Sequence, residues 1–122
     1  MGNPVVQWQI ITHEPDRHSA FYSTVFGWRI NSDNPLGYRI VDTGSERGIA
    51  GGFWPAPPEA NSFVQLFVEI EDMRQTISKV TANGGSVLIS PQKLPSGDEM
   101  AILRDPLGLT FGVVVPVRKQ IA

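Results

Sequence analysis

Apolar and polar positions alternate with period two from Val5 to Thr12. Val6, Trp8 and Ile10 fall on one face; Gln7, Gln9 and Ile11 fall on the other. This pattern predicts a strand with one strongly apolar face and one mixed face. Pro15 suits the first position of a helix, where its missing N–H would be unpaired anyway. Phe21, Tyr22 and Val25 then recur at helical spacing, with His18 or Ala20 extending the stripe, and Gly27 is a stop signal. Trp28 to Ile30, Tyr38 to Asp42 and Ile49 to Trp54 read as three short strands. The turn-forming run Asn31 to Pro35 and the turn Thr43-Gly44-Ser45 separate them.

The pattern then starts again. From Phe63 to Glu71, Val64, Leu66, Val68 and Ile70 alternate with Gln65, Phe67, Glu69 and Glu71. Asp72 is a helix N-cap, Met73, Ile77 and Val80 keep helical spacing, and Asn83-Gly84-Gly85 ends the helix. Ser86 to Ile89, Met100 to Leu103 and Thr110 to Val115 predict three more strands. The order is therefore βαβββ twice, an α+β chain. Gln7 to Gln65 and Gly27 to Gly85 are both 58 positions apart, and the same offset carries Trp54 to Gly112. The expected organisation is a single domain over 1–122, with modules 5–54 and 63–115 joined by the proline-rich connector 55–62. One helix covers only one face of four strands, so the other face must meet a cleft or a partner.

Composition narrows the function classes. With 122 residues, 41% hydrophobic and 18% charged, the chain can build a core. A net charge of −2 offers no basic excess for a phosphate backbone, which argues against nucleic acid. The absence of cysteine excludes disulfides, thiol nucleophiles and thiolate metal sites. No stretch has the apolar length of a membrane span, and Met1-Gly2-Asn3-Pro4 lacks the basic and apolar regions of a signal peptide. The expected setting is cytoplasmic. No G-x-S-x-G elbow, P-loop or G-x-G-x-x-G occurs.

Three segments carry a family resemblance. Ala20-Phe21-Tyr22-Ser23-Thr24-Val25-Phe26-Gly27-Trp28 resembles the FYxxVFGW signature of the vicinal oxygen chelate superfamily. That superfamily holds glyoxalase I, the extradiol dioxygenases and the bleomycin-resistance proteins. Asn83-Gly84-Gly85 resembles its NGG turn, and Asp105-Pro106-Leu107-Gly108 its DPxG turn. The resemblance implies two βαβββ modules forming a curved mixed sheet around a cavity, and often a dimer. The metal-dependent members use four ligand positions. By the resemblance these fall on Gln7 and Gln65, where His is expected, on Gly112, where Glu is expected, and near Gly51 to Phe53, which holds no carboxylate. Two neutral amides and a glycine are a poor donor set for a divalent ion. The expectation is therefore no metal cofactor and a small, partly aromatic ligand in the cavity, as in the family's drug-sequestering members.

The expected ligand-binding residues are Gln7, Gln9, Gln65, Phe67, Trp54 and Gly112. Two readings are open for several of them. The glutamine amides either satisfy each other or serve a ligand, since buried amides need partners. Phe67 either stacks on a ligand or plugs the core. Glu69 is either a general base in a cavity, the only catalytic candidate, or a strand-end carboxylate in water. His13 and His18, flanking Glu14 and Asp16, read as solvated helix-start residues. The alternatives to a binding protein are a lyase or isomerase of the same superfamily, with Glu69 as base or with a divalent metal, and a ligand-free dimerisation module. A homodimer is expected, with Ile49, Phe53, Trp54 and Phe67 as candidate apolar contact surface.

Overall fold

A computed structural model describes residues 2–58 and 61–120. Met1 of the N-terminal tetrapeptide and residues 59–60 of the connector lie outside the described residues. The chain forms two compact units, Gln7–Gln65 and Met1–Val6 with Leu66–Ala122. These are the first and second unit below.

The first unit contains most of strand β1 (Val5–Thr12), then helix α1 (Pro15–Phe26) and strands β2 (Arg29–Asn31), β3 (Arg39–Asp42) and β4 (Ala50–Pro55). Its strands lie in the order β2-β3-β4-β1. β4 is parallel to β1, from Gln7 opposite Ala50 to Thr12 opposite Pro55, and antiparallel to β3. Gly27 caps α1 in the left-handed region at φ 72°, and its N–H donates to the Ser23 carbonyl. Pro15 is in the first turn, as expected.

The face that α1 buries differs from the one its apolar spacing suggests. Ser19 is the buried residue, its hydroxyl donating to the Pro15 carbonyl, while Phe21, Val25 and Phe26 are exposed. Tyr22 faces inward and stacks on Trp28, with ring centroids 5.5 Å apart. His18 is a correction to the solvated reading. It stacks on Phe53 and Tyr22, and its Nδ1 lies 2.8 Å from the Thr12 hydroxyl. Thr12 and Phe53 are fully buried.

The second unit repeats the topology. It holds most of β5 (Phe63–Glu69), then α2 (Met73–Ala82), β6 (Ser86–Lys93), β7 (Glu99–Arg104), β8 (Thr110–Val115) and a short α3 (Val117–Gln120). The strand order is β5-β8-β7-β6, with β5 and β8 parallel. Asp72 caps α2, its carboxylate accepting the Gln75 N–H at 2.9 Å. Met73 joins Ile70, Ala101, Leu103, Val113 and Val115 in the core, and Ile77 and Val80 pack against it. β6 runs four residues beyond its expected end. It is a sheet edge with register shifts that accommodate Pro91, the place where a strand tolerates proline. α3 has no counterpart in the sequence reading.

No helix among the described residues is long and apolar enough to cross a membrane.

Candidate functional site

The mixed face of β1 carries the site. Gln9 is 8% exposed and Gln65 5%, so both amides sit where an unpaired polar group is costly. They satisfy each other: Gln65 Nε2 donates to Gln9 Oε1 at 3.4 Å. Gln7 makes a different bond. Its Nε2 donates to the Tyr38 hydroxyl at 2.8 Å. Gln65–Gln9 and Gln7–Tyr38 are thus two hydrogen-bonded pairs inside the first unit.

Tyr38 is the candidate residue that sequence reasoning missed. Burial pushes its phenol above the ordinary tyrosine range, and the neighbouring Gln7 and Gln9 amides only partly oppose this. Asn34 anchors its backbone from both sides, donating to the Tyr38 carbonyl at 2.7 Å and accepting its N–H at 3.1 Å. The ring lies tilted against Trp54, centroids 5.4 Å apart. A Cβ at Gly52 would come within 2.7 Å of the Tyr38 Cζ and hydroxyl, so only glycine lets the ring end lie there. Glycine in mid-strand was the available signal: Gly51-Gly52 announced a close approach without saying by what.

The pairing registers re-align the two halves. Gln9 stands opposite Gly52 in β4, and Phe67 stands opposite Gly112 in β8. Gln9 and Phe67 are 58 positions apart, but Gly52 and Gly112 are 60 apart. The counterpart of Gly112 is therefore Gly52 and not Trp54, because the first half is two residues shorter before its last strand. At both glycines an aromatic ring fills the place of a side chain. Tyr38 covers Gly52, and the ring of Phe67 occupies the space into which a Gly112 Cβ would project. Phe67 is 3% exposed and acts as that plug.

These residues do not fit the divalent ion that the resemblance would imply. Gln7 and Gln65 offer only neutral amide oxygens, poor ligands for a divalent ion, and the two glycine positions have no side-chain donor and are blocked by rings. Among the described residues no group of three or more His, Cys, Asp and Glu side chains could hold a metal.

Glu69 lies in the second unit, its side chain 12% exposed. It accepts from Arg118 Nη2 at 3.3 and 3.5 Å. The Arg118 guanidinium therefore engages both carboxylate oxygens of Glu69. Phe53 and Phe67 are buried within their own units, so neither supplies the apolar contact surface expected of them.

Comparison with known proteins agrees with this fold. The profile of the Glyoxalase/Bleomycin resistance protein/Dioxygenase superfamily matches residues 5–113. CFP32 of Mycobacterium bovis and of Mycobacterium tuberculosis, provisionally named a glyoxylase, is 30% identical over 115 residues. The match takes in 92% of this chain but only 44% of those relatives, so the chain spans less than half their length. Among solved structures, the Bacillus halodurans protein BH1468 superposes with a TM-score of 0.66 at 15% identity, covering 94% of this chain and 95% of that one. A Streptomyces coelicolor methylmalonyl-CoA epimerase gives 0.60 at 17% identity, covering 93% and 94%. At such identities the likeness shows the fold alone.

Proposed function

We propose that this chain, which belongs to the Glyoxalase/Bleomycin resistance protein/Dioxygenase superfamily, is a metal-independent binding protein for a small, partly aromatic molecule. The observation that carries this reading is a set of uncharged side chains, Gln65 bonded to Gln9 and Gln7 bonded to the Tyr38 phenol, at the place where metal-dependent members would need ionised or imidazole ligands. Hydrogen-bonding side chains beside an aromatic wall, Trp54, match the makeup of small-molecule sites. The Arg118 contact at Glu69 weighs against a lyase or isomerase that uses Glu69 as base. We place the protein in the cytoplasm, working as a homodimer.

Metal analysis tests the metal-free part. Protein purified without chelator and then dialysed is expected to hold only traces of Zn, Ni, Mn and Fe, and EDTA should leave its melting temperature unchanged. One equivalent of any of these ions surviving dialysis would sink the reading. A thermal-shift screen of aromatic compounds tests the binding part, because a ligand of the folded state raises the melting temperature by mass action.

A further inference from the structure

We infer that the Tyr38 hydroxyl is the hydrogen-bond donor through which this site selects an uncharged ligand bearing a carbonyl oxygen, with the Trp54 indole as the flat surface beside it. The inference rests on the binding reading above and assigns the ligand's chemistry.

The direction of the hydrogen bonds leads to this assignment. The phenol oxygen is already an acceptor, from Gln7 Nε2 at 2.8 Å. Among the described residues no side chain or carbonyl accepts its proton. A hydroxyl with a donor on its oxygen has its own O–H strengthened as a donor, since hydrogen bonds in a chain reinforce one another. Burial keeps that proton on the oxygen at neutral pH. The group is thus a donor in search of an acceptor. Its orientation is fixed by Asn34 on the backbone and by the bare Gly52 beneath the ring.

The electrostatics decide between a neutral and an anionic acceptor. Gln7, Gln9, Gln65, Tyr38 and Trp54 carry no charge. The neighbouring cation, Arg39, is engaged by Asp16 at 2.9 Å and by the Gly37 carbonyl. A carboxylate entering this cluster would lose hydration and gain no counter-charge, whereas a ketone or amide loses far less.

The test is a binding screen with matched probes: aromatic ketones and amides, each paired with a carboxylate of the same shape. Hits are expected among the neutral probes. Tyr38→Phe, which keeps the ring and its contact with Trp54, should weaken them about tenfold, the loss expected for one hydrogen bond. The same variant should leave the weaker hydrocarbon analogues, which lack the carbonyl, unaffected; a merely structural role for Tyr38 would weaken both. Hits confined to the carboxylates, or neutral hits insensitive to Tyr38→Phe, would overturn the inference and leave the binding reading standing. No hit in either half would overturn both.

Discussion

A single added methyl group tests the contact between Gly112 and Phe67. Alanine at 112 would drive its Cβ into the Phe67 ring, which is itself held in a closed core. Overpacking of this kind costs about 1–3 kcal/mol. Gly112→Ala is expected to lower the melting temperature, and shrinking the ring with Phe67→Leu should recover part of the loss. Additive losses in the double variant would show that the two positions do not share the space. Tyr38 makes a prediction at alkaline pH. Its folded pKa is raised, so the folded state holds the proton longer than the unfolded chain does. The sign follows: the stability tied to the neutral phenol is complete below the unfolded tyrosine value near ~10 and is lost as pH rises through the folded value. Denaturation midpoints should fall more steeply above that pH in the parent than in Tyr38→Phe. Equal slopes would mean that the phenol is not held neutral by the fold.

At the scale of elements, caps and periodicity carry most of the information. Asp72 shows this directly. Its carboxylate satisfies one of the open N–H groups of α2, and Asp72→Ala should cost about 1 kcal/mol, measured by urea denaturation. Asn at 72 should retain most of the stability, because it too can accept the Gln75 N–H. The same signals located α1, α2 and strands β1 to β8. The sequence read less well for which face each element buries. Val64 is 59% exposed and Leu66 47%, while Gln65 and Phe67, which alternate with them, are closed off. Alternation reports that two faces differ, and the apolar one is ordinarily the buried one. Here amides that bond to each other, and a ring that rests on a glycine, reverse this ordering locally. Tyr38 was hidden for a related reason. Only the pairing of β3 with β4, Arg39 opposite Phe53, brings it to Gln7, 31 positions away in sequence. The short α3 has too few residues to show a period.

At the scale of the molecule, the unexplained feature is apolar surface. Phe21, Val25 and Phe26 on α1 are each more than half exposed, and Ile49 and Val64 of the same unit are also exposed. Clustered exposed apolar side chains mark an interface, and a two-fold pair is the commonest homo-oligomer. A second copy is the occupant that needs no other partner. The expected result is a two-chain mass in sedimentation or light scattering at micromolar concentration. Charging the exposed helix face, with Val25→Lys and Phe26→Glu together, should yield a one-chain mass with an unchanged circular dichroism spectrum. Both side chains are more than half exposed, and because the Phe26 ring also lies against Tyr22 and Trp28, the unchanged spectrum is the control that the unit stays folded. A one-chain mass for the parent would reject the dimer. A variant that stays dimeric would move the interface away from α1, to the exposed Ile49 and Val64 positions. If the pair forms through α1, the Tyr38 cluster lies wholly within one unit of one chain. Probe binding per chain should then be the same in the variant monomer as in the parent, and loss of binding on dissociation would show that the partner contributes to the site.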